Sequence, residues 1–225
     1  MKKVVFWVCI CILALSSLIV QAEPLENVSV GETLTFGHYE QGDGQAPIEW
    51  IVLDCQEDRI LLLSKYALDC QPYHTVEDWD ITWETCTLRS WLNTDFFANA
   101  FNADESSRIL TVTNVNSNPN EDSDRWVDGG NDTEDRIFLL SSDEVNAYLP
   151  SDESRITEAT EYAVTQGGRV SRSTGKTYWW LRTPGGSQDQ IQFVSYTGEV
   201  ASHGDSMEAV LYTVRPALWL SLDAQ

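Results

Sequence analysis

Apolar positions along the chain change period twice, and the changes separate three stretches of different structure. Residues 32–40 (ETLTFGHYE), 48–54 (IEWIVLD) and 59–68 (RILLLSKYAL) are short runs rich in β-branched, aromatic and leucine residues, which predicts strands, with polar residues 55–58 as a hairpin loop. Ile48, Trp50 and Val52 share one face, but Ile51 and Leu53 are apolar too, so this strand is expected to be covered on both faces. Over residues 87–101 (TLRSWLNTDFFANAF) the spacing becomes three and four, through Leu88, Trp91 and Leu92 to Phe96, Phe97 and Phe101. That pattern is an amphipathic helix with a break near residues 93–95, its aromatic face turned to a core. A second short helix follows over 103–109, and residues 114–135, polar, acidic and rich in Asn, Asp and Gly, read as a long surface loop.

Residues 137–141 (IFLLS) look like a buried strand, and Ser141 with Glu144 fits a capping box that opens another helix. A further helix is expected over 157–166, ending at Gly167 and Gly168. The pattern then returns to strands at 178–183, 190–195, 199–202 and 214–222, with 196–198 as a turn. Strands, then helices, then strands indicate an α+β fold: an antiparallel or mixed sheet with helices packed on it, long irregular loops, and first and last strands able to pair.

The start of the chain follows a different logic. Lys2 and Lys3 precede an apolar run over residues 4–15, and small residues with Val20 and Ala22 follow, which describes a secretory signal peptide over residues 1–22, cleaved after Ala22. A retained anchor is the rival reading, because the apolar stretch approaches the lower limit of about 17 residues for a spanning helix. With cleavage, residues 23–225 form a single globular domain, secreted or held in the cell envelope and with no membrane association of its own. Two lysines and no acid leave with the leader, which takes the formal charge from -21 to -23. Such a field repels phosphate backbones and argues against nucleic-acid binding, while it tolerates cations, basic peptides or neutral sugars.

Cys55, Cys70 and Cys86 remain after the leader, an odd number that permits one disulfide and a leftover thiol, with all three pairings open. His38, His74 and His203 stand far apart and no Cys-x-x-Cys occurs, so no structural metal site is expected. Nucleophile-elbow, phosphate-loop and His-Glu-x-x-His patterns are all missing from the sequence, and no catalytic residue can be named. Acids are too abundant for a carboxylate pair to be informative. The densest acidic stretch, EDSDRWVDGGNDTEDR over 121–136, has oxygen ligands and glycines that suit calcium, but not the spacing of a helix-loop-helix calcium loop. It reads as solvated loop; no cofactor is expected, with calcium as the alternative.

Three stretches in linked order carry a resemblance: IEWIVLDCQEDRILLLSKYALDCQPY, then WETCTLRSWLN with GGNDTEDRIFLLS, then WWLRTPGG closing with VRPALWL. Together they resemble the bacterial DUF6273 family, recognised by WWLR, Ser or Thr, then PG, followed by a terminal VRPAL. The resemblance runs from about Gly31 to Leu222 and implies no activity. A Trp-rich strand, a Gly-, Asn- and Ser-rich hairpin region and a closing strand with Arg also resemble C-type-lectin-like domains of the formylglycine-generating type. That likeness implies termini meeting in one sheet and a ligand surface of irregular loops. The cysteine pair of the formylglycine enzymes has no counterpart here, so their chemistry is not implied.

Trp179 and Trp180 must point to opposite faces of a strand. Each indole that buries about 200 Å² is worth up to roughly 5 kcal/mol. Trp179 is read as structural, and Trp180 either as core beneath the polar loops or as a stacking platform. Arg89, Arg182 and Arg215 lie in apolar surroundings and need partners, such as Asp54, Asp69, Glu84 or Asp135. The polar, glycine-punctuated region 187–212 is the expected recognition surface, with Gln190, Gln192, Tyr196, His203 and Asp205 beside Trp180 as ligand-binding residues. The expected function is non-catalytic recognition of a carbohydrate or surface protein through a loop face. The alternatives are an extracellular hydrolase acting on glycan or peptide, and a structural cell-envelope protein. Acids gathered with Trp126, Trp180 or Tyr196 in one deep cleft would favour the enzyme; a shallow amide-lined face would favour binding.

Overall fold

The computed structural model describes residues 28–76, 80–119 and 127–223. The leader, Trp126 and residues 121–125 of the acidic stretch, on which some of the expectations fall, lie outside the described residues. Among the described residues no helix is long and apolar enough to cross a membrane.

Two sheets share one core. The first holds β1 (Thr33–Glu40), β2 (Gln45–Cys55), β3 (Arg59–Ser64) and β11 (Ala217–Ser221) in that order, every pair antiparallel. The second is mixed, in the order β4 (Asp69–Cys70), β10 (Thr213–Val214), β7 (Trp179–Pro184), β8 (Gln190–Val194) and β9 (Val200–Ser206), with β10 parallel to β7. The fold is therefore α+β. Its first and last strands lie in one sheet, but at opposite edges: β11 pairs with β3, not with β1.

The chain changes sheet twice in adjacent places, after β3 and before β11. Leu68 N–H donates to Val214 O at 2.9 Å and Ser64 N–H to Pro216 O at 2.9 Å, which ties the two passages together. This is why the strand expected over 214–222 splits at Arg215 and Pro216, since proline has no N–H for the ladder. β3 is buried on both faces, with Ile60, Leu61, Leu62 and Leu63 all in the core, and so reads as a continuous apolar run. In β2 the broken alternation has a local cause: the register shifts between Val52 and Asp54, which lets Leu53 join Ile48, Trp50 and Val52 inside. Ile51 stays half-buried.

α1 (Thr87–Trp91) passes through a π-helical turn (Leu92–Phe96) into α2 (Phe97–Ala100), and the irregularity falls where the sequence places a break. α3 (Ala103–Arg108) and α4 (Ser142–Tyr148) both begin with capping boxes, Asn102 with Glu105 and Ser141 with Glu144. A short α5 (Asp152–Arg155), not expected from the pattern, precedes α6 (Glu161–Thr165). α6 is shorter than the expected 157–166 because Thr157 and Thr160 spend their hydroxyls on Lys65 O (2.7 Å) and Leu68 O (3.3 Å), which holds that segment extended.

Two further expectations need correction. Residues 137–140 are fully buried but form no strand; they make one bridge, Phe138 to Ala217. Side chains take up part of the rest: Asn93 Nδ2 donates to Ile137 O at 2.8 Å and Arg182 Nη1 to Leu139 O at 2.9 Å, while Arg182 N–H donates to Leu140 O at 3.0 Å. The segment 114–135 is closed at its ends by a ribbon of β5 (Val112–Asn114) and β6 (Thr133–Asp135), and Asn114, Val127, Thr133 and Asp135 are buried. Cys55, Cys70 and Cys86 are all free thiols. Cys86 Sγ is committed to capping α1, accepting from Arg89 N–H, and burial pushes its pKa up to about 12.

Candidate functional site

Both tryptophans of β7 are fully buried, on opposite faces of the strand. Trp179 Nε1 donates to Arg155 O at 3.2 Å, and the Arg215 guanidinium lies over its ring, 5.0 Å from the centroid. Trp180 packs on Tyr212, with ring centroids 4.0 Å apart, and on Tyr73 at 6.1 Å, and donates from Nε1 to Gln71 O at 3.1 Å. No surface of Trp180 is left for a ligand to stack on.

The three arginines find different partners. Arg89 Nε meets Asp135 Oδ1 at 2.5 Å, and the same buried carboxylate accepts from Trp83 Nε1 (2.9 Å), Asn114 Nδ2 (2.9 Å) and Thr133 Oγ1 (2.7 Å). Glu84 gives Arg89 only its carbonyl. Arg182 grips Glu144 with both ends of its guanidinium, Nη1 to Oε2 and Nη2 to Oε1 (2.9 Å), and Nε also reaches Asn116 Oδ1 at 3.2 Å. Among the described residues Arg215 meets no carboxylate: its donors go to Ser64 O (2.9 Å) and Arg155 O (3.2 Å), and burial lowers its pKa to about 9, which leaves it charged at neutral pH. Asp69 instead accepts the Tyr39 hydroxyl at 2.5 Å.

The Arg182–Glu144 pair forms the floor of an open cleft of about 640 Å³. One wall is the start of α4, with Ser142, Asp143 and Asn146; the other is the loop after β5, with Asn116, Ser117 and Asn118. Thr183, Gln192 and Ser202 close it from the second sheet. The capping box that starts α4 is thus also what aims Glu144 at Arg182: its Oε2 accepts from Ser141 N–H at 2.8 Å. Both oxygens of Glu144 are engaged, and Asp143 is the other carboxylate in the lining among the described residues. Amides and hydroxyls dominate, which suits exchange of hydrogen bonds with a polyhydroxylated ligand.

The expected ligand-binding residues do not converge. Gln192 reaches this cleft, although its Nε2 already donates to Pro184 O at 3.0 Å. Tyr196 lines a second cleft of about 660 Å³ with Arg169, Arg172 and Tyr178. His203 and Asp205 are exposed on β9, where His203 O accepts from Gly186 N–H and Asp205 accepts the Tyr212 hydroxyl at 2.7 Å. Gln190 is half-buried at the start of β8. Among the described residues no cluster of three His, Cys, Asp or Glu is placed to hold a metal ion. Pattern alone missed Asn116, Asn118 and Ser142, whose only signal is the concentration of Asn and Ser in the loop after β5 and at the start of α4.

Fold and clefts together define an α+β domain that presents polar side chains from irregular segments braced by buried arginines. The sequence matches the Domain of unknown function (DUF6273) over residues 57–222, and the chain belongs to that family. The match begins in the loop before β3, so β1 and β2 precede it, and the likeness read from about Gly31 is carried by the later strands. No curated protein and no solved structure matches the chain.

Proposed function

We propose that this chain is an exported, non-catalytic recognition domain of C-type-lectin-like architecture, whose polar cleft binds a carbohydrate. The observation that carries the reading is the lining: Asn116, Asn118, Ser142, Asn146 and Thr183 surround a floor whose one ion pair is internally satisfied. Such a floor fixes the walls without presenting a net charge, and the walls supply donors and acceptors of both kinds, as sugar hydroxyls require. First and last strands in one sheet, with irregular segments forming the cleft, support the lectin-like arrangement.

A glycan array probed with residues 23–225, with and without calcium, tests this. Binding of one or more neutral glycans is expected, weakened about tenfold by Asn118→Ala and by Asn146→Ala. Trp180→Ala is unsuitable as a control because truncating a fully buried indole opens the core. Silence across the array in both conditions, or binding indifferent to both substitutions, overturns the reading.

A further inference from the structure

The second cleft has a chemistry of its own. Among the described residues its lining includes Arg169, Ser171, Arg172, Tyr178 and Tyr196, with two arginines and no acid, in a chain whose formal charge is -21. Among the described residues neither guanidinium is in an ion pair, although Lys65, Arg89, Arg155, Lys176 and Arg182 all are. Arg169 is laid against Tyr178, 5.1 Å from the ring centroid, and Tyr178 in turn meets Tyr196 edge-on at 5.3 Å. A guanidinium held over a ring by cation–π attraction still carries N–H donors that match a carboxylate.

The platform beneath is built rather than loose. Arg169 N–H donates to Leu211 O at 2.9 Å, Thr177 Oγ1 to Arg169 O at 2.8 Å, and Ser171 N–H to Lys176 O at 2.7 Å. The main-chain groups of Arg169 and the N–H of Ser171 are thereby held in place. Recognition here falls to side chains: two cations, a serine hydroxyl and a tyrosine ring. We propose that this cleft is a second binding site, separate from the polar cleft, that takes an acidic sugar, with Arg169 and Arg172 on the carboxylate of a uronate and the Tyr196 ring against its pyranose face.

The probes are oligouronides, namely trigalacturonate and trimannuronate, each beside its methyl ester, which removes the charge and keeps the ring. Isothermal titration into residues 23–225 should show binding of at least one free acid, at least about tenfold weaker for the ester and for Arg169→Gln with Arg172→Gln. It should also weaken as salt is raised. Tyr196→Ala should lose binding while thermal unfolding stays cooperative, and Asn118→Ala, in the polar cleft, should leave uronate binding unchanged, so failure of one site is distinguishable from failure of the other. The proposal is overturned by no binding up to about 1 mM, by equal affinity for acid and ester, by indifference to the arginine substitutions, or by a glutamate hexapeptide binding as tightly as the uronates.

Discussion

The Arg215 guanidinium lies 5.0 Å from the centroid of the Trp179 ring, and both residues donate to the same carbonyl, that of Arg155. Trp179 opens the WWLR segment and Arg215 belongs to the closing VRPAL segment, so the two stretches that mark the family touch inside the protein. Arg215 also donates to Ser64 O, at the point where the chain leaves the first sheet. One side chain therefore joins both sheets and the end of α5.

Replacing Arg215 tests whether that link supports the fold. Arg215→Met keeps much of the volume but leaves Ser64 O without a donor, at about 1–3 kcal/mol for a buried group left unsatisfied, while Arg155 O keeps the Trp179 Nε1 donor. It also removes the contact with Trp179, worth about 0.5–2 kcal/mol. Relief from burying a charge offsets part of this, so the expected net loss is about 1–3 kcal/mol. Urea unfolding should show a lower midpoint with an unchanged slope. Arg215→Lys keeps the charge but cannot serve two separated carbonyls from one ammonium, and should fall between. A methionine variant as stable as the parent would remove Arg215 from its role.

Asn93 gives a second, independent check. Within the π-turn its Nδ2 donates to Arg89 O (3.1 Å) and Ile137 O (2.8 Å), while Oδ1 accepts from Arg136 N–H (2.9 Å) and Ile137 N–H (3.2 Å). The side chain does for residues 136–137 what a neighbouring strand would have done. Asn93→Ala should cost about 2–3 kcal/mol in chemical denaturation, since buried backbone groups lose partners. Asn93→Asp retains the acceptor and loses the donors, so an intermediate loss is expected. Equal stability of the alanine variant would mean that water replaces the side chain at no cost.

These two residues also show where sequence reading succeeds. Period-two and period-3.6 patterns record which face of an element is buried, so β2, β3, the α1–α2 helix and its break near Asn93 were legible, as was the Ser141–Glu144 cap. Residues 137–140 look like a strand because burial makes any segment apolar, whereas a strand needs a continuous neighbour, and here Phe138 alone bridges to Ala217 while Asn93 and Arg182 take up groups of Ile137, Leu139 and Leu140. The clefts were less legible still. Alternation places Trp179 and Trp180 on opposite faces, but whether Tyr212 and Tyr73 cover Trp180 is decided by chain segments far away in sequence. Arg169 and Arg172 carry no periodic signal, and they stand out only once the structure shows a cleft whose described lining holds both of them and no acid.

Asp69 offers a test by pH. It lies buried in β4 and accepts from the Tyr39 hydroxyl (2.5 Å), its neighbour Cys70 N–H (2.7 Å) and Gln71 Nε2 (3.2 Å). Burial raises its pKa above 3.8 even though all three donors pull the other way. The native state then holds a proton at pH values where the unfolded chain, titrating near 3.9, has released it. Because the native state binds more protons in that window, its stability falls as pH rises. The contribution is complete below the unfolded value and is lost as pH climbs through the raised folded one. Repulsion among the other acids acts on any variant alike, so the readout is a difference: stability of the parent minus that of Asp69→Asn, from urea unfolding at several pH values between about 3 and 7. That difference should decline with pH and then level off. A difference that stays flat, or climbs with pH, would show that the three donors outweigh burial and that Asp69 is held as the carboxylate.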